Sequence, residues 1–189
     1  MSIIQIRSIS LSMLRQELEK ITNIPDVIQH PRLLNELMTS YPHTIRILES
    51  HYKIDRYTCL MHVFEFTEKP GYIAIATFGD ESIYAKPEFA HWLIDKGVLI
   101  EIPKDEACKD DIVFYFDKDG FKHAGLLNED GRVVSKWGKG HLYEHKLLEV
   151  PEFYGYDIRF FKRLSYDLAI ENLKLFAKEN GMIFECADP

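Results

Sequence analysis

Cys59 is the cysteine whose neighbours in the sequence suggest reactivity. It follows Thr58, a favoured N-cap residue, and the pattern predicts a short helix over residues 58–66. Backbone N–H groups in a first helical turn stabilise an anion, so this place favours a thiolate over a thiol. The ordinary alternative is a small buried hydrophobic residue, which is what most unpaired cysteines are.

A histidine follows near the start of a predicted strand. Residues 112–116 are a continuous β-branched and aromatic run, typical of a central strand, and residues 121–127 form the next strand. His123 lies near the start of this second strand, and the two small residues after it leave room beside its ring. Paired with Cys59, an imidazole can hold a thiolate and then protonate a leaving amine. Taken alone, His123 is more typical of a half-buried strand histidine whose ring nitrogens have hydrogen-bond partners.

A third group is needed to orient the histidine, and the sequence offers two candidates. If residues 128–131 form a hairpin loop, His123 lies opposite Lys136, and a shift of one residue places Ser135 opposite instead. A serine orients weakly, because it has no charge to stabilise an imidazolium. His145, in the predicted loop that follows, is the alternative, although it is equally typical of an exposed loop histidine.

Three further residues are candidates for lining a substrate pocket. Tyr57 precedes Cys59 closely, His62 follows it on the same helical face, and Trp137 shares a strand face with Ser135. Cys59 and His62 also have a spacing that zinc ligands use, but a structural zinc site needs four ligands, and the sequence has no second matching pair. We therefore expect no metal and no cofactor.

The elements that must position these residues change in kind along the chain. Apolar residues recur at helical spacing from residue 8 to about residue 50, and prolines divide this stretch into short helices. The remaining clear elements are predicted helices at residues 86–96 and 164–178 and predicted strands at residues 132–137 and 156–162. Helices, then an antiparallel sheet, then a helix predict an α+β fold.

Composition excludes several classes of function. The chain has 189 residues, 23 basic and 30 acidic side chains and a net charge of −7, with no basic stripe, so we expect no nucleic-acid partner and no binding to an anionic membrane. The sequence contains no signal-peptide pattern and no apolar run long enough to span a membrane. Three cysteines, an odd number at no repeated spacing, fit a reducing compartment. We therefore expect a cytoplasmic protein.

The order of these motifs is similar to that of a known family. A cysteine at a helix start, a strand beginning Asp-Ile-Val-Phe at Asp111, and His-Ala-Gly-Leu at His123 resemble the papain-like NlpC and CHAP group of cysteine amidases and peptidases. A nearer likeness is to a poorly characterised set of bacterial NlpC-like proteins. It rests on Ser-Lys-Trp-Gly at residues 135–138, Glu-His at 144–145 and Tyr-Gly at 154–155. The pattern departs at Asp110, where the family usually has glycine.

The resemblance implies a fold and an activity. It implies a papain-like domain over residues 51–189, whose cysteine helix packs on an antiparallel sheet, with a helical extension over residues 1–50. It also implies a thiol hydrolase of amide or isopeptide bonds, with Cys59 as nucleophile, His123 as base and acid, and a backbone N–H near Cys59 for the oxyanion. At Ser135, NlpC enzymes usually have histidine and CHAP enzymes a carboxylate or asparagine.

Two functions are therefore expected. The first is a cysteine peptidase or amidase that acts on a peptide or another amide-containing substrate. The second is a binding or regulatory module that kept the papain-like scaffold and lost catalytic power, which the serine at position 135 favours.

Overall fold

The computed structural model describes residues 3–50, 53, 57–66, 73–78, 81–83 and 87–187. Its main feature is a seven-stranded antiparallel sheet with the strand order β1-β8-β7-β6-β5-β9-β4, beside a three-stranded sheet with the order β10-β2-β3. The strands are β1 Arg46–Leu48, β2 Ile73–Phe78, β3 Glu81–Ile83, β4 Glu101–Ile102, β5 Ile112–Asp117, β6 Gly120–Leu127, β7 Val133–Lys136, β8 Leu142–His145, β9 Asp157–Phe161 and β10 Ile183–Ala187.

Five α-helices accompany the sheets in the described residues: α1 Ile3–Thr22, α2 His30–Ser40, α3 Cys59–Val63, α4 Pro87–Asp95 and α5 Tyr166–Glu179. Their ends follow the sequence signals. Pro31 lies at the start of α2, and Thr58 and Ser165 cap α3 and α5 with their side chains. The α+β class is confirmed.

The large sheet is covered on both faces. Alternate residues of β5 point to opposite sides, so Phe114 enters a core with α3, α4 and α5, while Tyr115 enters a second core with α1 and α2. Burial on both faces explains why β5 is a continuous apolar run, and its place between β6 and β9 confirms it as a central strand. The result is a sheet between two helical layers.

Two short strands differ from the sequence expectation. Strand β1 lies in the stretch predicted to be helical, and it pairs with β8, where the sequence predicted only loop. Tyr143 and His145 of β8 point into the protein, while Leu142 and Glu144 are less buried. Strand β8 has only four residues, and two of them, Glu144 and His145, are polar. An alternation this short does not indicate a strand in the sequence.

The hairpin between β6 and β7 has neither of the predicted registers. Leu127 pairs with Val133, and the Asn128 side chain accepts hydrogen bonds from the N–H groups of Asp130 and Arg132. The loop is therefore longer than predicted. Continued upstream, this register places His123 level with Trp137.

The described helices include none that is both long and apolar enough to cross a bilayer.

Candidate functional site

Cys59 is fixed by a short capped helix. The Thr58 hydroxyl oxygen accepts a hydrogen bond from the Met61 N–H at 3.4 Å, and Leu60, Met61 and Val63 are buried in the core beneath β6. Because three of the five residues of α3 are anchored in this core, the helix start, and Cys59 with it, has a defined position.

The sulfur lies where two strands separate. In the described residues, β6 and β7 pair only at Leu126 with Val134 and at Leu127 with Val133, so the first half of β6 lacks a strand partner on that side. The start of α3 packs here against β6, and the Ala124 N–H faces the Cys59 sulfur and lowers its pKa. The nucleophile candidate therefore contacts the backbone of the residue that follows His123.

Gly125 allows this close crossing. A Cβ atom at this position would lie 2.4 Å from Val133 Cγ1 and 2.9 Å from Ser135 Cβ, so a larger residue would push β7 away. The sequence predicted that Ala124 and Gly125 leave room beside the His123 ring, whereas at Gly125 the space is filled by β7.

A cavity of about 300 Å³ opens beside Cys59. Its lining consists of Tyr57, Thr58, Cys59, Lys122, His123, Gly138, Lys139, Phe153 and Tyr154. The two residues expected to form a catalytic pair thus share one cavity, and the predicted pocket residue Tyr57 lines it as well. Among the described residues, the lining includes two lysines and no carboxylate.

His123 is almost completely enclosed, with 1% of its surface exposed. Its ring stacks on Tyr154 with centroids 3.8 Å apart and an angle of 4°, and Tyr115 lies on another side at 5.6 Å. Its Nε2 atom has no hydrogen-bond partner among the described residues. Burial holds the pKa of His123 well below 6.5, and the neighbouring His145, His62 and Lys136 lower it further. The resting imidazole is therefore neutral.

The state of Cys59 differs from the expectation. Burial raises the pKa of its thiol to about 11, and this outweighs the hydrogen bonds from Ala124 and Leu60 and the charge of Lys136. The helix start does lower the pKa of Cys59, through the N–H groups of Leu60 and of Cys59 itself, but burial raises it by more, so the expected thiolate is not the resting form. The physical reason is that a single short turn of helix offsets only part of the desolvation of the sulfur.

Ser135 and His145 lie next to each other, and their polar groups are hydrogen-bonded to one another. The His145 Nδ1–H donates to the Lys146 carbonyl at 2.8 Å, so Nε2 is the acceptor, and the Ser135 hydroxyl donates to it at 2.7 Å. The Trp137 Nε1–H donates to the Ser135 oxygen at 3.0 Å. The two predicted orienting residues therefore form a buried chain of hydrogen bonds with Trp137, and neither contacts His123 Nε2.

Two of the predicted pocket residues lie elsewhere. Trp137 is outside the cavity lining, behind Tyr154, with ring centroids 6.3 Å apart. His62 faces the Val134 backbone, and its buried Nε2 has no partner. Burial lowers the pKa of His62 to about 4. Both residues therefore belong to the support of the site.

The motif residues before β5 have structural roles. Asp110 has a φ of 68°, in the left-handed region that favours glycine. The buried Asp111 carboxylate accepts hydrogen bonds from the Cys108 N–H and the Lys162 ammonium, both at 2.9 Å. These contacts fix the entry to β5.

The sequence missed how the segment carrying Phe153 and Tyr154 is held. The buried Arg15 of α1 donates hydrogen bonds to the carbonyl oxygens of four residues: Val150 at 3.2 Å, Pro151 at 3.3 Å, Glu152 at 3.4 Å and Gly155. The Glu19 carboxylate accepts from the Phe153 N–H at 3.2 Å. Helix α1 therefore positions one wall of the cavity. A lone arginine on an apolar helical face, at residue 15, was the available signal.

Gly155 ends this segment with a conformation that a side chain would not tolerate. Its φ is 92°, and a Cβ atom would lie 2.1 Å from the Phe116 carbonyl oxygen. The Tyr-Gly pair at residues 154–155 therefore sets a close turn against β5.

In the described part of the chain, no cluster of three or more histidine, cysteine or acidic side chains could hold a metal ion.

Comparisons with protein-family models, with curated proteins and with solved structures found no match to this chain.

Proposed function

We propose that this chain is a thiol hydrolase of amide bonds, of the papain-like NlpC and CHAP type, with Cys59 as nucleophile and His123 as base and acid. The observation that carries the proposal is the cavity that Cys59 and His123 both line, and the backbone N–H of Ala124, directly after His123, faces the Cys59 sulfur. The order of the two residues in the sequence and the packing of a cysteine helix against an antiparallel sheet support it.

The resting pair is a neutral thiol and a neutral imidazole, which determines how the reaction starts. The thiol proton passes to His123 as the sulfur attacks the amide carbonyl, as an alcohol proton does in a serine hydrolase. His123 then protonates the leaving amine, and water hydrolyses the thioester. A buried imidazolium without a carboxylate partner is unfavourable, so the proposal implies a slow enzyme.

The cavity indicates what the substrate presents. Its lining combines the aromatic rings of Tyr57, Phe153 and Tyr154 with the ammonium groups of Lys122 and Lys139. Because Lys122 is paired with Asp117 at 3.2 Å, Lys139 is the more available charge. A peptide or isopeptide with an apolar group next to the scissile carbonyl fits this lining.

Acetylation by p-nitrophenyl acetate tests the proposal directly. We expect a burst of nitrophenolate, an acetyl group mapped to Cys59, and slow turnover. Cys59→Ala should abolish all three, and His123→Gln should slow acetylation by about a hundredfold or more. Cys108→Ser is the matched control, because Cys108 is exposed and outside the cavity. Acetylation of Cys59 at equal rates with and without His123 would contradict the proposal.

Fluorogenic peptide amides then test the bond class. Hydrolysis by the wild-type protein that disappears in Cys59→Ala supports an amide hydrolase. Turnover of esters alone would restrict the activity to thiol acylation and contradict the amide assignment.

A second candidate function is a binding module on the same scaffold. It is favoured by one observation: His123 Nε2 has no orienting partner, because Ser135 and His145 satisfy each other. In this case neither ester nor amide is turned over. The raised pKa of Cys59, about 11, is common to both candidates, so turnover is the measurement that distinguishes them.

A further inference from the structure

Four buried side-chain atoms in the described residues have no hydrogen-bond partner: His62 Nε2, Tyr115 OH, His123 Nε2 and Tyr154 OH. Only two of them, on His123 and Tyr154, belong to residues that line the cavity beside Cys59. Buried polar atoms are nearly always paired, so an unpaired donor at a cavity indicates a place for a ligand's acceptor. The Tyr154 hydroxyl is such a donor, because the Gly138 N–H faces its oxygen while its own proton has no acceptor among the described residues.

The position of Tyr154 is fixed from several sides. Its ring lies flat on His123 at 3.8 Å and meets Phe153 edge-on at 4.5 Å. Its backbone belongs to the segment that Arg15 holds, and only 4% of its surface is exposed. A ring held in this way places its hydroxyl reproducibly, as an electrostatic catalyst requires.

The hydroxyl is a donor throughout the physiological range. Burial raises the pKa of Tyr154 well above 10, and the nearby Cys59 is the next cause. The phenol therefore keeps its proton. Tyr154 and Cys59 line the same cavity.

The backbone donors near the sulfur are already directed at it. The N–H groups of Ala124, Leu60 and Cys59 itself face the sulfur and lower its pKa, so these three donors serve the sulfur rather than an acyl oxygen. We expected a backbone N–H near Cys59 to stabilise the oxyanion. A further hydrogen-bond donor from another residue is therefore needed.

We propose that the Tyr154 hydroxyl donates a hydrogen bond to the oxygen of the acyl group that Cys59 attacks, which makes Tyr154 a catalytic residue. The inference rests on the proposed thiol hydrolase. In the step, the sulfur–carbon bond forms, the carbonyl π electrons move to oxygen, and the thiol proton passes to His123. Tyr154 keeps its proton and stabilises the oxyanion. When the intermediate collapses, the carbon–nitrogen bond breaks and the amine takes the proton from His123.

Tyr154→Phe tests the proposal, because it removes the hydroxyl and keeps the ring that stacks on His123. Acetylation of Cys59 by p-nitrophenyl acetate passes through an oxyanion, whereas alkylation by iodoacetamide does not. We expect acetylation to fall by about tenfold or more and alkylation to change by less than about twofold. Equal losses in both reactions, or a loss in neither, would overturn the proposal.

Tyr115→Phe is the matched control. Tyr115 is also buried, also has an unpartnered hydroxyl and also packs near His123, at 5.6 Å, but it does not line the cavity. We expect this variant to acetylate and alkylate as the wild-type protein does. A loss of acetylation equal to that of Tyr154→Phe would show that any buried hydroxyl near His123 has the same effect, and it would overturn the proposal.

A second measurement does not depend on acyl transfer. Cys59 is alkylated with iodoacetamide that carries carbon-13 at its carbonyl, which leaves a labelled amide tethered in the cavity. We expect the carbonyl infrared band to lie at lower frequency in the wild-type protein than in Tyr154→Phe, because a hydrogen bond weakens the carbonyl bond. A band shift in a protein whose Cys59 is not acetylated by p-nitrophenyl acetate would support Tyr154 as a donor and contradict the hydrolase. Acetylation unaffected by Tyr154→Phe, with no band shift, would support the hydrolase and overturn the donor.

Discussion

Two neighbouring groups of polar side chains in this protein have opposite hydrogen-bonding states. In the first, Ser135, His145 and Trp137 form a buried chain in which each donor has an acceptor. In the second, His123 and Tyr154 stack on each other at the cavity, and each has a buried polar atom without a partner. We call them the paired network and the cavity pair.

The difference indicates which group carries function. A satisfied buried network stabilises one arrangement of the core and has no capacity left for a ligand. Unsatisfied groups lower stability unless a ligand completes them, so their place beside Cys59 favours a role in binding or catalysis. Sequence reasoning assigned Ser135 and His145 to the site, whereas their contacts assign them to the support behind it.

The largest effect is expected from the segment that holds the cavity pair. Arg15→Ala removes the donors to four carbonyl oxygens at residues 150–155, and we expect a loss of about 4 kcal/mol in unfolding free energy by urea titration. Acetylation of Cys59 should fall as well, because Tyr154 loses its fixed position. Arg32→Ala is the control, since Arg32 forms an exposed pair with Glu36 and should change stability by less than about 0.5 kcal/mol. Unchanged stability in Arg15→Ala would contradict the role of α1.

Disrupting the paired network should lower stability and leave the acetylation of Cys59 unchanged. Ser135→Ala leaves Trp137 Nε1 and His145 Nε2 without partners, and we expect a loss of about 3 kcal/mol. Acetylation of Cys59 in the folded fraction should change by less than about twofold. Ser12→Ala, at an exposed position of α1, serves as the control and should be close to neutral. A loss of acetylation at normal stability would instead make Ser135 the orienting residue.

The buried histidine of the network should make stability depend on pH. Burial lowers the pKa of His145 to about 4 in the folded state, against 6.5 when exposed. The unfolded chain therefore binds more protons between these values, and stability falls as pH falls. From about pH 7 to about pH 5, His145 should account for a loss of about 2 kcal/mol. Urea titrations of wild-type protein and His145→Gln at both pH values measure it, and an equal pH dependence in the two proteins would exclude this origin.

The smallest effect is expected at the mouth of the cavity. Lys139 lines it, so anionic iodoacetate should be favoured at Cys59 relative to neutral iodoacetamide. Lys139→Ala should lower the ratio of the two alkylation rates by about twofold at low salt, and added salt should remove the difference. Lys118→Ala, an exposed lysine outside the cavity lining, is the control. An unchanged ratio in Lys139→Ala would place the lysine too far from the sulfur to act on it.

The sequence predicted those parts of the fold that local patterns determine. The run at residues 112–116 became β5, and Thr58 marks the start of α3 because capping is a local property. The four-residue β8 was missed, because its pairing with β1 and β7 is decided by contacts far away in sequence.

The site was predicted in part for the same reason. The order of Cys59 and His123 is visible in the sequence, and the two residues share a cavity. The protonation state of Cys59, the register that removes Ser135 from His123, and the arginine that positions Tyr154 all depend on burial and on tertiary contacts. A motif contains none of these.

The difference between the cavity pair and the paired network is tested most directly by two variants, His123→Gln and Ser135→Ala. The measurement is the rate at which p-nitrophenyl acetate acetylates Cys59 near neutral pH. We expect His123→Gln to slow the reaction by about a hundredfold and Ser135→Ala to leave it within about twofold of the wild-type rate. Slow acetylation in Ser135→Ala together with acetylation at the wild-type rate in His123→Gln would contradict the assignment of function to the cavity pair.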